Sequence, residues 1–500
     1  MSDHLKLTSA PFHPFLFAIF PILFLYANNF FQVSTEDLII TLAISTAFTI
    51  ALWFIIKQFI KNNNKSGIVI SLCLILFFSY GHIFIAVNNI DILGFDTGNQ
   101  IQFSFIFLLI SGAIILLALF VNRPLDNATK ISNGISVTLI ALVLFNIGIL
   151  GIGDIANPEN ENYKISSLNN GTNNTPDIYY LVFDSYANHN TLKTQFDFDN
   201  NPFLEYLDSR NFIIPSATHS NYPSTSFSLP SSLHMQYLDI EKNPTTLQES
   251  YFNPGKIMDN NKSMKKLKEK GYEIISFNSG FSMTDAIKIV DIHYCDSNIL
   301  NSEFVGMIIR TSMLNPLHVL LFEHDFRYGI NCIFDTIPNL KDEYDKPIFV
   351  FAHIMIPHPP YVFGPNGETV NVESLSFTEG WDDKKGYVDQ VKYANKRMTG
   401  IVDAILSDES PIIIIQSDHG PRIGIDYVNP TDEMYAQSFG ILNAYHLPGC
   451  NDSIYDSISP INSFRVIFNC YFDEDYELLD DKAYWTTSNG TIIKVDPRTK

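Results

Sequence analysis

A chain of 500 residues is too long for one ordinary core, and its 46% apolar content is concentrated towards the N-terminus, so two physical regimes are expected. The formal charge of −21 excludes a general polyanion binder and leaves no basic stripe for a nucleic-acid partner. An anionic ligand would have to find its positive charge locally, from a bound cation or a single arginine.

In chain order, five apolar runs come first: Phe12–Asn28, Leu38–Ile60, Ile68–Val87, Phe103–Val121 and Ile135–Ile152. Each is near the ~20 residues that carry a helix across about 30 Å of hydrocarbon. Pro14 and Pro21 interrupt the first, but no small-residue cleavage pattern follows it, as a signal peptide would require. Lys57, Lys61 and Lys65 crowd the second connection and Arg123 with Lys130 mark the fourth, whereas Glu36, Asp37, Asp91 and Asp96 mark the first and third. Basic loops stay in the cytoplasm, so this pattern predicts residues 1–153 as a five-helix transmembrane domain in the lipid bilayer, with everything after it on the extracytoplasmic side of the membrane. The runs hold almost no ionisable residues, which argues against a transport pathway; His82 is the exception.

From 154 to 176 the composition turns to Asn, Ser, Gly and Glu without periodicity, the signature of a tether. Asn170, Gly171 and Thr172 form a glycosylation triplet within it. Cys73 lies in a span, while Cys295, Cys332, Cys450 and Cys470 all fall in the exported part, an even number in an oxidising compartment. Pairing by proximity would join 295 with 332 and 450 with 470; other connectivities remain open at the level of sequence.

Residues 177–500 alternate strands and helices. Strands are predicted at Asp177–Phe183, Phe212–Pro215, Tyr272–Phe277, Ile348–His353, Ile412–Ile415 and Phe439–Ala444, with helices at Phe203–Ser209 and Ser263–Lys270. Val391, Ala394, Met398, Ile401, Val402 and Ile405 recur at helical spacing and mark a crossover helix. This alternation predicts an α/β domain with a mostly parallel central sheet covered on both faces.

Such sheets place their chemistry beyond the carboxyl ends of the strands. There the first strand ends at Asp184 and Ser185, another runs into His353 and His358, and the isoleucine run 412–415 stops at Ser417, Asp418, His419 and Gly420. A carboxylate beside an imidazole supplies a hard and a borderline metal ligand, and the glycine allows a sharp turn. Between these lies a hydroxyl-rich turn, Asn221 to Ser228, leading into a helix whose N-terminus would favour an anion. Taken singly, the hydroxyls read as N-caps and the Asp-His-Gly as a polar turn.

The ordered set, Asp184, then NYPSTSFSL, HIMIPHPPY, QSDHGPR, SFGILNAYHLPG and Asn462 to Arg465, resembles the sulfatase-like branch of the alkaline phosphatase superfamily. In layout the chain is similar to lipoteichoic acid synthases and phosphoethanolamine transferases, which also place five spans before an exported catalytic domain. The resemblance implies an alkaline-phosphatase-like α/β/α domain that holds one divalent metal ion (Mn, Zn or Mg) on Asp184, Thr225, Asp418 and His419. It makes Thr225 the nucleophile and His358 the histidine at the substrate or leaving group, with His353 a second candidate and Arg422 facing the ester oxygens. The activity implied is a membrane-anchored hydrolase or transferase that acts on a lipid-linked or glycan phosphate ester through a covalent threonine intermediate.

Two departures qualify the pattern. Sulfatases that use a modified nucleophile carry CxPxR or SxPxR; here Ser228, Leu229, Pro230 and Ser231 lead to Ser232 where the arginine would stand. Pro230 also falls about a turn into the expected helix, where it removes a backbone hydrogen bond, so a later helix start would make Ser226 or Ser228 the nucleophile. A sulfuric ester hydrolase and a catalytically inactive membrane-anchored binding module are the alternative functions. His446 is read as structural or exposed.

Overall fold

The computed structural model describes residues 10–30, 33–87, 91–92, 95–96, 100–121, 124–156, 175–238, 254–285, 287–295, 302–372, 380–407, 410–487 and 492–497. The chain divides into two compact units, residues 1–158 with 299–321, and residues 159–298 with 322–500.

The first unit contains α1 (His13–Asn28), α2 (Thr35–Phe59), α3 (Asn63–Val87), α4 (Gln100–Phe120) and α5 (Asp126–Ala156). The last four are long and apolar enough to cross a membrane. With 16 residues, α1 spans only about 24 Å. Ser34 caps α2 by accepting from the Asp37 N–H at 3.0 Å, and Glu36 and Asp37 in its first turn complement the helix dipole. Contacts between helices use small and hydroxyl side chains, as bundles in lipid do: Ser45 donates to the Ala18 carbonyl, and His13 Nδ1 lies 2.6 Å from Ser71 Oγ. Outward, Ile101, Phe105, Leu108 and Leu109 of α4 are exposed. Helix α5 runs three residues into the predicted tether; residues 157–174, with the Asn170 triplet, lie outside the described residues. Residues 299–321, which the sequence reading leaves in the second domain, group with this unit.

In the second unit, β1 (Ile178–Asp184), α6 (Thr225–His234), β2 (Glu273–Phe277), β3 (Ile292–Tyr294), β4 (Ile348–Pro357), α7 (Lys384–Ile405), β5 (Ile412–Ser417), α8 (Asp432–Phe439), β6 (Asn443–His446) and α9 (Pro460–Tyr471) build one α/β domain. Its six-stranded sheet has the order β3-β2-β4-β1-β5-β6, parallel throughout except for the antiparallel β5–β6 pair. Every residue of β1, β4 and β5 is buried, and these strands are apolar for most of their length, with polar residues at or towards their carboxyl ends. On one face Ile178, Tyr180, Val182, Ile412 and Ile414 pack with Leu229 and Leu233 of α6 and Phe464 and Phe468 of α9. On the other, α7 lies against β4 and buries Tyr387, Val391, Ala394 and Met398. This three-layer arrangement brings the carboxyl ends of β1, β4 and β5 to one edge.

Three local expectations change. Phe212–Pro215 forms only a single bridge, Ile213 to Tyr445, because the chain passes the sheet edge without running along it. Around Phe439–Ala444 the first residue still belongs to α8, whose start is capped by Thr431 accepting from Met434 N–H; the strand begins at Asn443. The edge strand β3 was not anticipated, being three residues long. Disulfides join Cys295 to Cys332 and Cys450 to Cys470, with Cα separations of 5.8 and 6.4 Å that suit the bond, while Cys73 is the free cysteine among the described residues.

Candidate active site

The turn after β5 is held from several directions. Ser417 Oγ accepts from the Tyr186 N–H and donates to the His419 carbonyl, both at 2.8 Å. Asp418 Oδ1 accepts from the Ser185 N–H at 3.1 Å and the His419 N–H at 2.8 Å. These bonds fix the carboxylate so that Oδ2 faces inward, buried and without a hydrogen-bond partner among the described residues. His419 Nδ1 lies 2.8 Å from the Gly420 carbonyl, which can only accept, so Nδ1 carries the proton and Nε2 keeps its lone pair.

Gly420 was expected to supply a sharp turn, but it does not adopt a positive φ. It is needed for close approach instead: a Cβ there would lie 1.9 Å from the Gln437 carbonyl oxygen. The Gln437 amide in turn donates to the Pro421 and Ile423 carbonyls and clamps the following loop. Gly420→Ala is therefore expected to lower stability by about 3 kcal/mol and to weaken any ligand of His419, measured by denaturant unfolding of the same preparation.

From β1, Asp184 reaches the same point. His419 Nε2 lies 3.6 Å from Asp184 Oδ1 and 3.6 Å from Asp418 Oδ2. The next residue, Ser185, has φ +65°, a costly conformation for a residue with a side chain, and uses it to donate from Oγ to Asp184 Oδ1 at 2.8 Å. From the start of α6, Thr225 Oγ1 lies 3.4 Å from Asp184 Oδ2 and 3.4 Å from His419 Nε2. The helix begins at Thr225 despite Pro230, which sits inside it. The later start expected from Pro230 does not occur; Ser228 Oγ is spent on the Tyr222 carbonyl at 2.8 Å.

Two histidines of the β4 end complete the surroundings. His353 Nε2 lies 3.5 Å from Asp184 Oδ2 and Nδ1 lies 3.4 Å from Thr284 Oγ1. Burial alone would depress His353, but Asp184, Asp418 and Asp285 hold it above its ordinary value. Burial raises Asp285 itself to about 6, although the Ser279 and Gly280 N–H groups donate to it. His358 donates from Nδ1 to the Pro359 carbonyl at 2.7 Å and packs edge-on against Trp381. Burial pushes His358 below its ordinary value, with Asp184 acting the other way. Burial would raise Asp184, yet the imidazoles of His358, His353 and His419 keep it well below the usual carboxylate range. Arg422 is half-buried, donating to the Pro223 carbonyl at 3.2 Å, with Nη2 3.5 Å from His419 Nε2. His446 is elsewhere, bonded to the Pro411 carbonyl and packed on Phe212.

Asp184, Asp418 and His419 thus present ligand atoms within 4.8 Å of one another, all buried. Two buried carboxylates, an unpartnered Oδ2 and a lone pair converging on one point fit a divalent cation, which would relieve their mutual repulsion. Thr225 Oγ1 stands beside them, a third oxygen next to the His419 nitrogen. Sequence reasoning gave no role to Ser185, Asp285 or Trp381. The only signal for the last was a tryptophan in an otherwise polar stretch.

The sulfatase family model matches residues 176–441, the span that carries this site. The chain belongs to the sulfatase family. No curated protein matches the sequence of this sulfatase-family chain. Among solved structures it is similar to the integral membrane protein lipooligosaccharide phosphoethanolamine transferase A from Neisseria meningitidis, at 11% identity over 93% of this chain and 96% of that one, with a TM-score of 0.42. It is also similar to the zinc complex of the C-terminal periplasmic domain of EcEptC from Escherichia coli, at 12% identity over 65% and 93% of the two chains and a TM-score of 0.43. A third similarity is to a Bacteroides thetaiotaomicron protein of glycosaminoglycan metabolism, at 14% identity over 64% and 83% and a TM-score of 0.38.

Proposed function

We propose that this sulfatase-family protein is a membrane-anchored, metal-dependent enzyme that cleaves a phosphate ester on the extracytoplasmic side and passes the phospho-group, through Thr225, to water or to a lipid or glycan hydroxyl. In this reading α1 is a fifth span and the second unit is exported, as the placement of Lys57, Lys61, Lys65 and Lys130 requires. The observation that carries the reading is the hydroxyl of Thr225, at the start of a helix and 3.4 Å from both Asp184 and His419.

Asp184, Asp418 and His419 would hold the ion, with Thr225 Oγ1 as a further ligand. A divalent cation bound there lowers the cost of ionising a hydroxyl and neutralises charge on the ester. Thr225 Oγ1 gives up its proton and attacks phosphorus in line, a threonine–phosphorus bond forms, the bond to the leaving alkoxide breaks, and the alkoxide takes up a proton, so that no net charge is produced in this half. The N-terminus of α6 and the Arg422 guanidinium favour the anionic group at that position. In the second half, the acceptor hydroxyl loses its proton and attacks the phosphothreonine, and the threonine oxygen leaves. His358 suits removal of that proton: its Nδ1 donates to the Pro359 carbonyl, and burial keeps the ring neutral at neutral pH.

A base with a depressed pKa is already unprotonated at neutrality, so its work is lost only on the acid side of the ordinary histidine value. The rate of phosphothreonine breakdown is therefore expected to be flat around pH 7 and to fall in acid, read by single-turnover kinetics across pH. His358→Gln should remove that acid limb together with most of the rate.

Modified-serine sulfatase chemistry finds no support here, since Ser228 is bonded away and Ser232 replaces the arginine of that motif. The full-length protein in detergent, supplied with Mn, Zn or Mg and offered an aryl phosphate and an aryl sulfate, tests the assignment. Phosphate cleavage that depends on the metal is expected. Preference for the sulfate would make it a direct sulfuric ester hydrolase, and turnover of neither would favour a binding module.

A further inference from the structure

The helix Glu303–Thr311 and the turn after it pack within the first unit. Phe304 is fully buried against Ile22 and Tyr26 of α1, and Met313 packs on Tyr80, Phe103 and Phe107 of α3 and α4. Gly81 lets the helix end come close to α3: a Cβ there would lie 2.3 Å from the Arg310 carbonyl oxygen. The Met313 N–H donates to the Phe77 carbonyl at 2.9 Å, and Gln100 Nε2, at the first residue of α4, donates to Asn315 Oδ1 at 3.0 Å.

Beyond this anchored stretch, Leu314, Pro316 and Leu317 are exposed, the two leucines by 38% and 45%. The bond from Gln100 to Asn315 sets them beside the start of α4, where Ile101 and Phe105 are also exposed. The N–H groups of the turn are all spoken for. Ser312 N–H donates to Ile309, Leu314 N–H to Ser312 Oγ, Asn315 N–H to the Ser312 carbonyl and Leu317 N–H to the Leu314 carbonyl; Met313 is bonded to Phe77, and residue 316 is a proline without a donor. Every N–H from 312 to 317 that exists is thus satisfied without water, which lowers the cost of seating this turn at the boundary of the hydrocarbon, though not in its core.

We infer that residues 303–317 form a membrane-seated element whose Leu314–Leu317 tip enters the boundary between headgroups and acyl chains of the bilayer, beside the end of α4. The inference rests on reading α2 to α5 as membrane spans. It gives a segment from the middle of the catalytic sequence a direct lipid contact, in addition to the N-terminal anchor.

The test uses the full-length chain carrying Cys73→Ala, reconstituted in phosphatidylcholine vesicles, with an environment-sensitive fluorophore on Leu317→Cys, and on Leu314→Cys as a second variant. Probes on Val428→Cys, exposed in the second unit, and Phe105→Cys on α4 serve as references. Lipids bearing a nitroxide high on the acyl chain should quench most of the fluorescence at 317, 314 and 105 but not at 428, and aqueous iodide should do the reverse. Iodide quenching at 317 and 314 equal to that at 428, with 105 still quenched by lipid, overturns the inference and leaves the spans intact. Protection of 317 and 314 from both quenchers overturns it in favour of a protein partner or a second copy. Failure of lipid quenching at 105 removes the span reading and the inference with it.

Discussion

Thr225→Ala is expected to lower the turnover of an aryl phosphate by about a thousandfold, ~4 kcal/mol of transition-state stabilisation, while leaving the fold unchanged. The loss follows from the position of Oγ1 beside Asp184 Oδ2 and His419 Nε2, whereas the other nearby hydroxyl, Ser185 Oγ, is bonded to Asp184 Oδ1 and lies 3.4 Å from the opposite ring nitrogen, His419 Nδ1. Stability should be spared because the residue before Thr225, Ser224, occupies the cap position of α6 and makes no side-chain capping bond that the substitution could disturb. Thr225→Ser restores a hydroxyl at the same backbone position and should recover most of the rate; its extra rotamer freedom costs about tenfold. Steady-state kinetics of the three proteins, with unfolding midpoints measured in parallel, separate a lost nucleophile from a damaged fold. Equal activity in the alanine variant would reassign the nucleophile.

The second large effect concerns the cation. Asp418→Asn keeps Oδ1, which accepts from the Ser185 and His419 N–H groups, but turns the unpartnered Oδ2 into a donor facing His419 and Asp184. Metal affinity should fall by more than about a hundredfold, since even residues that only support ligands cost 10–100-fold when changed. In the parent protein, a metal at about a hundred times its dissociation constant should stabilise the fold by ~2.7 kcal/mol, a shift that disappears in the variant. Without metal the order should approach parity or reverse, because the substitution removes one of two buried carboxylates that otherwise face each other uncompensated. Thermal melts of both proteins, each with metal and with chelator, give the four values. A parent protein whose melt ignores the metal would argue against the ligand set.

What the sequence disclosed about these residues, and what it withheld, follows from the range of the interactions involved. The run Ile412–Ile415 could be read as a buried strand because β-branched residues without polar interruption fit a sheet covered on both faces, and its stop at Ser417 marked the strand end. The convergence of Asp184 with Asp418 followed from the rule that parallel sheets open at their carboxyl ends, whereas the strand order, which depends on long-range pairing, was not read from the sequence. The reason for Gly420 was not accessible: whether a glycine serves a turn or a close approach depends on Gln437, seventeen residues on and packed through the tertiary fold. Pro230 was read as a helix breaker, whereas tertiary packing of Leu229 and Leu233 holds α6 together around it. His353 could not be distinguished from a strand-end histidine, since its partners Asp184, Thr284 and Asp285 come from distant segments. The segment 303–317 carries an amphipathic pattern, but a pattern does not say which surface it meets; only the packing of Phe304 and Met313 does.

Peptide mass spectrometry of the full-length protein, quenched in acid during turnover of a phosphate ester with metal present, measures the central step itself. A phospho-group on the peptide containing Thr225, lost in Thr225→Ala and absent when metal is withheld, is the predicted result. An adduct on another residue, or steady turnover with Thr225 never modified, would contradict the account.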